Sequence, residues 1–278
     1  MLRLLNIEFQ KLKYNKSAKV LTIAYFIILL FIALIVSIEF NIGDIKVRIA
    51  DQGIFNFPFI WHFNTYMAAT LKFFLAVVIV SMVANEYSNR TLKQNLIDGL
   101  SKGEFILSKF ITVSVFALIS TIFILVMTLI LGYSFSDFNE FSIVIQDTEF
   151  IVAYFLKLVA FFSFCLFLGV LVKRSAFALG FLFIWWIIEN IVYALFKWQF
   201  FKGTDIADNV SQFFPLWSMS NLIDRPFERL NFVQTAANQL NADVGIDYAV
   251  HWYEVLIVCV WIFLFIYGSH ALLKKRDL

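Results

Sequence analysis

Six apolar runs, at residues 20–38, 66–84, 110–133, 150–172, 176–196 and 252–272, limit what this chain can fold into more than anything else in it. A helix that crosses about 30 Å of hydrocarbon at about 1.5 Å per residue needs roughly 20 apolar residues, and each run meets that length. In lipid every backbone N–H and C=O must be bonded within the protein, which leaves helices or closed barrels. Barrel strands are about ten residues long and alternate apolar with polar, whereas these runs are longer and uniform. The predicted fold is therefore all-α: a polytopic membrane protein with six transmembrane helices, the whole of 1–278 forming one membrane domain. Composition agrees. Apolar residues make up 61% of the chain, charged residues only 15%, and 35 residues are Phe, more apolar surface than one soluble core of this length buries. Membrane lipids are the expected surroundings of the spans.

Lys and Arg in short loops mark the cytoplasmic side of a membrane. They gather in the N-terminal segment (Arg3, Lys11, Lys13, Lys16, Lys19), the 2–3 loop (Arg90, Lys93, Lys102, Lys109), the 4–5 loop (Lys173, Arg174) and the tail (Lys274, Lys275, Arg276). The 3–4 loop, residues 134–149, has none, and carries Asp137, Glu140, Asp147 and Glu149. Both termini are thus expected in the cytoplasm and residues 197–251 outside. The first run has a long basic approach and no small-residue cleavage site after it, so it reads as a retained span. Cys165 and Cys259 lie within spans and belong to no disulfide or metal spacing, so they read as small packing residues. His62, His251 and His270 are scattered, with no metal-ligand spacing. No nucleic-acid partner is expected.

Residues 1–19 read as an amphipathic helix, with Leu2, Leu5, Phe9 and Leu12 on one stripe at about 100° per residue. Such a basic helix before a span lies in the interface, apolar side down; a plain extension of span one is the alternative. The 2–3 loop, residues 85–104, is polar, basic and helix-prone. On a helix over 86–98, Leu92, Leu96 and Leu100 line one side and Arg90, Gln94 and Asp98 the other. Gly99 is placed as a C-cap. Ser101-Lys102-Gly103-Glu104 has the form of a capping box that opens a new helix. The chain thus leaves the membrane, makes a short amphipathic helix, turns and re-enters. A segment so polar between two spans is placed to touch something in the aqueous phase, or else lies as a plain hairpin on the headgroups.

Six spans, cytoplasmic termini, an N-terminal amphipathic helix and this loop resemble the ABC-2 type permease family, the membrane subunits of ABC exporters. Members often show an acid at the end of span two, a Thr-Leu-x-x-x-Leu element, a small residue at a turn, a Ser-Arg-like pair, and a Lys opening span three. Here these are Glu86, Thr91-Leu92, Leu96, Gly99, Ser101-Lys102 and Lys109. The chain departs in having Lys102 where Arg is common and no Pro at the turn. The resemblance implies that 85–104 is a coupling helix seated in a cleft of a cytoplasmic ATPase subunit, with Glu86, Arg90, Thr91, Leu92, Leu96, Gly99 and Lys102 as the coupling residues. The chain has no Gly-x-x-x-x-Gly-Lys-Ser/Thr loop to cradle a nucleotide's phosphates. ATP and Mg would therefore belong to a separate ATPase polypeptide, and no cofactor is expected on this chain. Six spans call for a second copy around a pathway, a homodimer by default, or a related permease. The location implied is the bacterial cytoplasmic (inner) membrane.

Ionisable residues inside spans cost roughly 2.5–3.5 kcal/mol on insertion scales and are functional candidates by default. Lys72, Lys157 and Glu189 all fall roughly 10 Å below the outer boundary at about 1.5 Å per residue. Glu189 is expected within about 4–6 Å of one of these lysines, or facing a water-filled cavity; snorkelling of the lysines is the plainer alternative. The segment 197–251 is too long for a bare loop, and 227–240 reads as a short helix in it. In the resembled family this region often folds back as short helices over the outer exit; a cap without gating is the other reading. The expected role is a transporter subunit, not an enzyme. A scaffold that passes ATPase-driven force to a partner is the alternative. A membrane-embedded enzyme would need His, Ser or acid groups clustered at one depth, and no such cluster stands out.

Overall fold

The computed structural model describes residues 2–42, 45–48, 53–230, 233–235 and 247–276. A basic helix α1 (Leu2–Tyr14) leads into the first span, α2 (Lys16–Ser37). Asn15 divides them: its side chain accepts from the Ala18 N–H at 3.2 Å and so starts a new helix. A short antiparallel hairpin follows, β1 (Glu39–Ile42) paired with β2 (Ile45–Arg48), Glu39 opposite Arg48. Both segments alternate polar with apolar, the strand period. This hairpin is the one departure from an all-helical chain among the described residues.

The second span is broken. It consists of α3 (Phe59–Thr70) and α4 (Lys72–Ser88), bent by 46° at Leu71, where the reading of 66–84 assumed one straight helix. The residues before 66 include the polar His62, Asn64 and Thr65. Those side chains are buried in protein: Asn64 donates to Thr128 Oγ1 at 3.1 Å, and Thr65 to the Trp61 carbonyl at 2.7 Å. Polar groups and interrupted backbone are tolerated at membrane depth when protein surrounds them.

The chain continues through α5 (Thr91–Ile97), α6 (Lys102–Phe135), a turn α7 (Phe141–Val144), α8 (Glu149–Val172) and α9 (Ser175–Leu195), which ends in a π-helical turn, Phe196–Phe200. Two short helices, α10 (Ile206–Ser211) and α11 (Pro215–Asn221), and a 3₁₀ turn at Pro226–Arg229 precede the last span, α12 (Trp252–Lys275). Of the predicted helix at 227–240, the start is that 3₁₀ turn, and most of the rest lies outside the described residues. Five helices are long and apolar enough to cross a membrane, six spans if the bent pair counts as one.

Helix α8 is the axle, packed against α3, α4, α6, α9 and α12. It is apolar all round, the mark of a helix with neighbours on every side. Gly169 allows α4 to approach: a Cβ there would stand 2.9 Å from Val83 Cβ. The Tyr25 and Tyr154 hydroxyls meet at 2.5 Å, with Ser120 Oγ 3.0 Å from the latter, joining α2, α6 and α8. Helices α2, α9 and α12 turn large apolar residues outward, among them Phe31, Leu34, Phe183, Ile187, Val260 and Phe263, as lipid requires.

Chain ends from α1 and α12 meet the start of α6 on one face, termed here the terminal face. Lys102 Nζ donates to the Arg276 carbonyl at 2.8 Å and the Lys274 carbonyl at 3.3 Å. The opposite face carries α7, α10, α11 and the 3₁₀ turn.

Candidate functional site

On the terminal face, the predicted helix over 86–98 is two pieces. Helix α4 runs on to Ser88, and Arg90 then adopts a left-handed conformation (φ 57°) from which α5 sets off in a new direction. Helix α5 ends as read. Gly99 has φ +98°, a conformation that costs glycine little and other residues more. The Leu100 N–H donates to the Asn95 carbonyl at 3.0 Å and the Gly99 N–H to Leu96 at 3.2 Å, the paired bonds of a Schellman motif. Ser101 then caps α6: Glu104 N–H donates to its hydroxyl at 3.1 Å, and its own N–H donates to Glu104 Oε2 at 2.9 Å.

Beneath α5 lies a cluster of four charges. Lys109 of α6, 0% exposed, donates to Glu86 Oε1 at 2.6 Å and to Glu8 Oε2 at 2.5 Å. Lys11 donates to Glu86 at 2.8 Å and to Glu8 at 3.2 Å. Thr91, the first residue of α5, donates to the other Glu86 oxygen, Oε2, at 2.5 Å. Two cations and two carboxylates balance, which is the condition for keeping ions away from water. Burial disfavours the Lys11 ammonium, but its hydrogen bond to Glu86 and the charges of Glu8 and Glu86 prevail and hold its pKa above the ordinary lysine value. The cluster ties α1, α4, α5 and α6 at a single point.

This arrangement sorts the predicted coupling residues. Glu86, Thr91 and Leu92 turn inward and hold α5 in place; Glu86 and Leu92 are buried and offer no surface, and Thr91 is half-buried. Leu96 is half-buried against the core. Lys102 is half-buried and caps the last carbonyls of α12, where a cation meets the negative end of the helix dipole. Arg90 and Gly99 are exposed, along with Lys93, Gln94, Asp98 and Ile97, the last 75% exposed. Reading the sequence missed Ile97 because it falls outside the Leu92–Leu96–Leu100 stripe; its place four residues after Lys93 was the available signal. It also missed Glu8. That residue lies three after Leu5 and four before Leu12, so an acid stood on the apolar stripe of a basic helix.

On the opposite face the expected ion pair is absent: among the described residues neither Lys72 nor Lys157 pairs with Glu189. Glu189, 5% exposed, accepts from Trp185 Nε1 at 2.7 Å, the Leu216 N–H at 3.1 Å and the Trp217 N–H at 3.2 Å. Lys157 donates to the Ser220 carbonyl at 3.1 Å and the Ile223 carbonyl at 3.3 Å. The carboxylate therefore sits at the N-terminal end of α11 and the ammonium at its C-terminal end, each opposite the partial charge the helix presents there. Backbone dipoles satisfy both ions, so they have no need of one another. Lys72, half-buried at the α3–α4 break, lies over the Phe161 ring at 4.8 Å. Nearby, His62 stacks on Phe150 at 4.2 Å, accepts from Arg229 at Nδ1 (3.2 Å) and donates from Nε2 to the Asp224 carbonyl at 2.9 Å; Arg229 in turn pairs with Asp147 at 3.0 Å. With Arg229 donating to Nδ1, the proton of the neutral ring is on Nε2.

The fold and the two faces together define a polytopic helical membrane protein, with a braced polar helix on one face and a short helix held by Glu189 and Lys157 on the other. Residues 51–272 match the model of the ABC-2 family transporter protein family. That is well over half the chain, and the chain belongs to this family: it is a multi-pass membrane subunit of an ABC transporter. The match takes in α3 to α12 up to residue 272 and leaves α1 and α2, with Glu8 and Lys11, outside it. Comparison with curated protein sequences finds no significant match.

Proposed function

We propose that this chain is the membrane-spanning half of an ATP-driven exporter in a bacterial cytoplasmic (inner) membrane. It works as a homodimer, with the terminal face in the cytoplasm. A separate ATPase subunit, which binds ATP and Mg, seats on α5. The observation that carries the reading is the division of α5 into a braced base and a presented face. Thr91 and Leu92 anchor it inward through Glu86 and the core. Arg90, Lys93, Gln94 and Ile97 face out. A helix that merely lay on headgroups would need no such brace. Movement of the ATPase against the outer face would pass through Glu86 to α4, through Lys109 to α6 and through Glu8 to α1, and the spans would tilt about the dimer axis. The lysine-rich terminal face supports its cytoplasmic placement.

The test is co-purification of the ATPase from native membranes with the full chain. Arg90→Glu, Lys93→Glu and Ile97→Asp together alter only exposed side chains. They are expected to release the ATPase while the permease stays folded in the membrane. ATPase retained at wild-type levels and still stimulated would place the contact elsewhere.

A further inference from the structure

The buried charges at Lys157 and Glu189 have a second consequence, in the cleft they support. On the face opposite the termini a cleft of about 540 Å³ opens between α3, α9, α11 and the chain around residues 223–228. That volume is in the range of small-molecule sites, about 300–1,000 Å³. Its floor is α11 and the residues just after it. Trp217, Ser220 and Ile223 line the cleft, and they are the residues whose N–H and carbonyl groups Glu189 and Lys157 hold. Two ions placed at membrane depth to fix one short helix make a preformed surface, which lowers the ordering cost of binding.

The walls state the chemistry of the ligand. Aromatic rings come from four separate elements: Tyr66, Trp186, Trp217 and Tyr248. Two carboxylates, Asp224 and Glu228, face them across the cleft, with one guanidinium, Arg225. Two further cations stand outside the lining: Arg229 pairs with Asp147, and Lys157, 3% exposed, is held by the Ser220 and Ile223 carbonyls. Glu228 accepts from the Tyr248 hydroxyl at 3.0 Å through one oxygen. The Asp224 carboxylate has no hydrogen bond or ion pair among the described residues. The residues that line the cleft thus carry two carboxylates and one guanidinium beside aromatic rings, whose faces attract cations. Trp186, 46% exposed on α9, gives the cleft an apolar edge toward the lipid, where aromatic residues sit at headgroup level.

We propose that this cleft binds an organic cation with an apolar body, a cationic amphiphile, its charge set between Asp224 and Glu228 and its body against the tryptophans. As the class of cargo the inference rests on the exporter reading; as a binding site it stands without the ATPase.

The experiment uses the purified full chain in lipid nanodiscs, without the ATPase, and equilibrium binding of radiolabelled tetraphenylphosphonium. Saturable binding at one site per chain is expected. Asp224→Asn with Glu228→Gln should weaken it at least tenfold. Tetraphenylborate, of the same shape and opposite charge, should not compete. The double variant changes groups at the cleft surface, and its elution profile and melting temperature serve as fold controls. If it does not fold, Trp186→Ala, on the lipid-side wall, replaces it, with a loss of severalfold expected. Wild-type affinity in the variant tested, or equal competition by tetraphenylborate, overturns the proposal. Failure here leaves ATPase capture by α5 untouched, and loss of that capture leaves this binding untouched, so the two readings fail separately.

Discussion

Replacing Lys109 by methionine removes the fully buried member of the two lysines that touch both carboxylates. The ammonium donates to Glu86 at 2.6 Å and to Glu8 at 2.5 Å. Hydrogen bonds to charged groups are worth about 1.5–3 kcal/mol each. Breaking a buried pair from one side costs roughly 3–5 kcal/mol, because the partner is left as an uncompensated ion. The two routes agree on about 3–5 kcal/mol for Lys109→Met. A second substitution should recover part of this. With Glu8→Gln added, the cluster again balances, Lys11 facing Glu86 at 2.8 Å, and the stranded carboxylate is gone. The double variant should therefore be more stable than the sum of the two single losses implies, with a coupling of about 1–3 kcal/mol, the range found for residues in one network. The assay is reversible unfolding in mixed detergent micelles, run on wild type, both single variants and the double variant. Losses that add to within about 0.5 kcal/mol, as for independent sites, would refute the account of one cooperative charge cluster. So would a Lys109→Met protein as stable as wild type.

The remaining predictions follow from other contacts. A Cβ at Gly132 would stand 2.2 Å from the Phe57 ring, so Gly132→Ala should destabilise by about 1–3 kcal/mol, as overpacking does; Phe57→Leu in the same chain should relieve it, and unchanged melting of Gly132→Ala would count against the packing described. Glu189 and Lys157 cap opposite ends of α11, so exchanging them (Glu189→Lys with Lys157→Glu) puts each charge at the wrong end of the helix dipole. The swapped protein should melt below either single variant, whereas an ion pair would tolerate the exchange. In a background without Cys165 and Cys259, cysteines at Ser142 and Thr204 should react with an impermeant thiol reagent added outside, and one at Ser101 should not; all three positions are exposed. Labelling of the Ser101 site from outside would reverse the proposed orientation. Gly99→Ala meets open space but keeps φ +98°, so it should cost about 1 kcal/mol and loosen the end of α5, read as faster amide exchange at Asn95 to Leu100.

What could be read from the amino-acid order alone was what depends on neighbours in sequence. Lipid acts on each stretch separately, so run length and apolar content located the spans, and local bonds explain why the Ser101–Glu104 capping box and the Gly99 turn formed as read. The tertiary structure decided whatever depends on a partner distant in the chain. Glu8 meets Lys109 across 101 positions, and no periodicity in α1 announces that meeting. Glu189 and Lys157 share a depth, which suggested a pair, but α11 came between them and offered each a better partner in its backbone. His62 and Asn64, polar residues ahead of the apolar run at 66–84, are covered by α6 and by the residues before the last span. Hydropathy says which segments leave water; it does not say which polar atom, brought within about 3 Å by the fold, will satisfy the charges carried along.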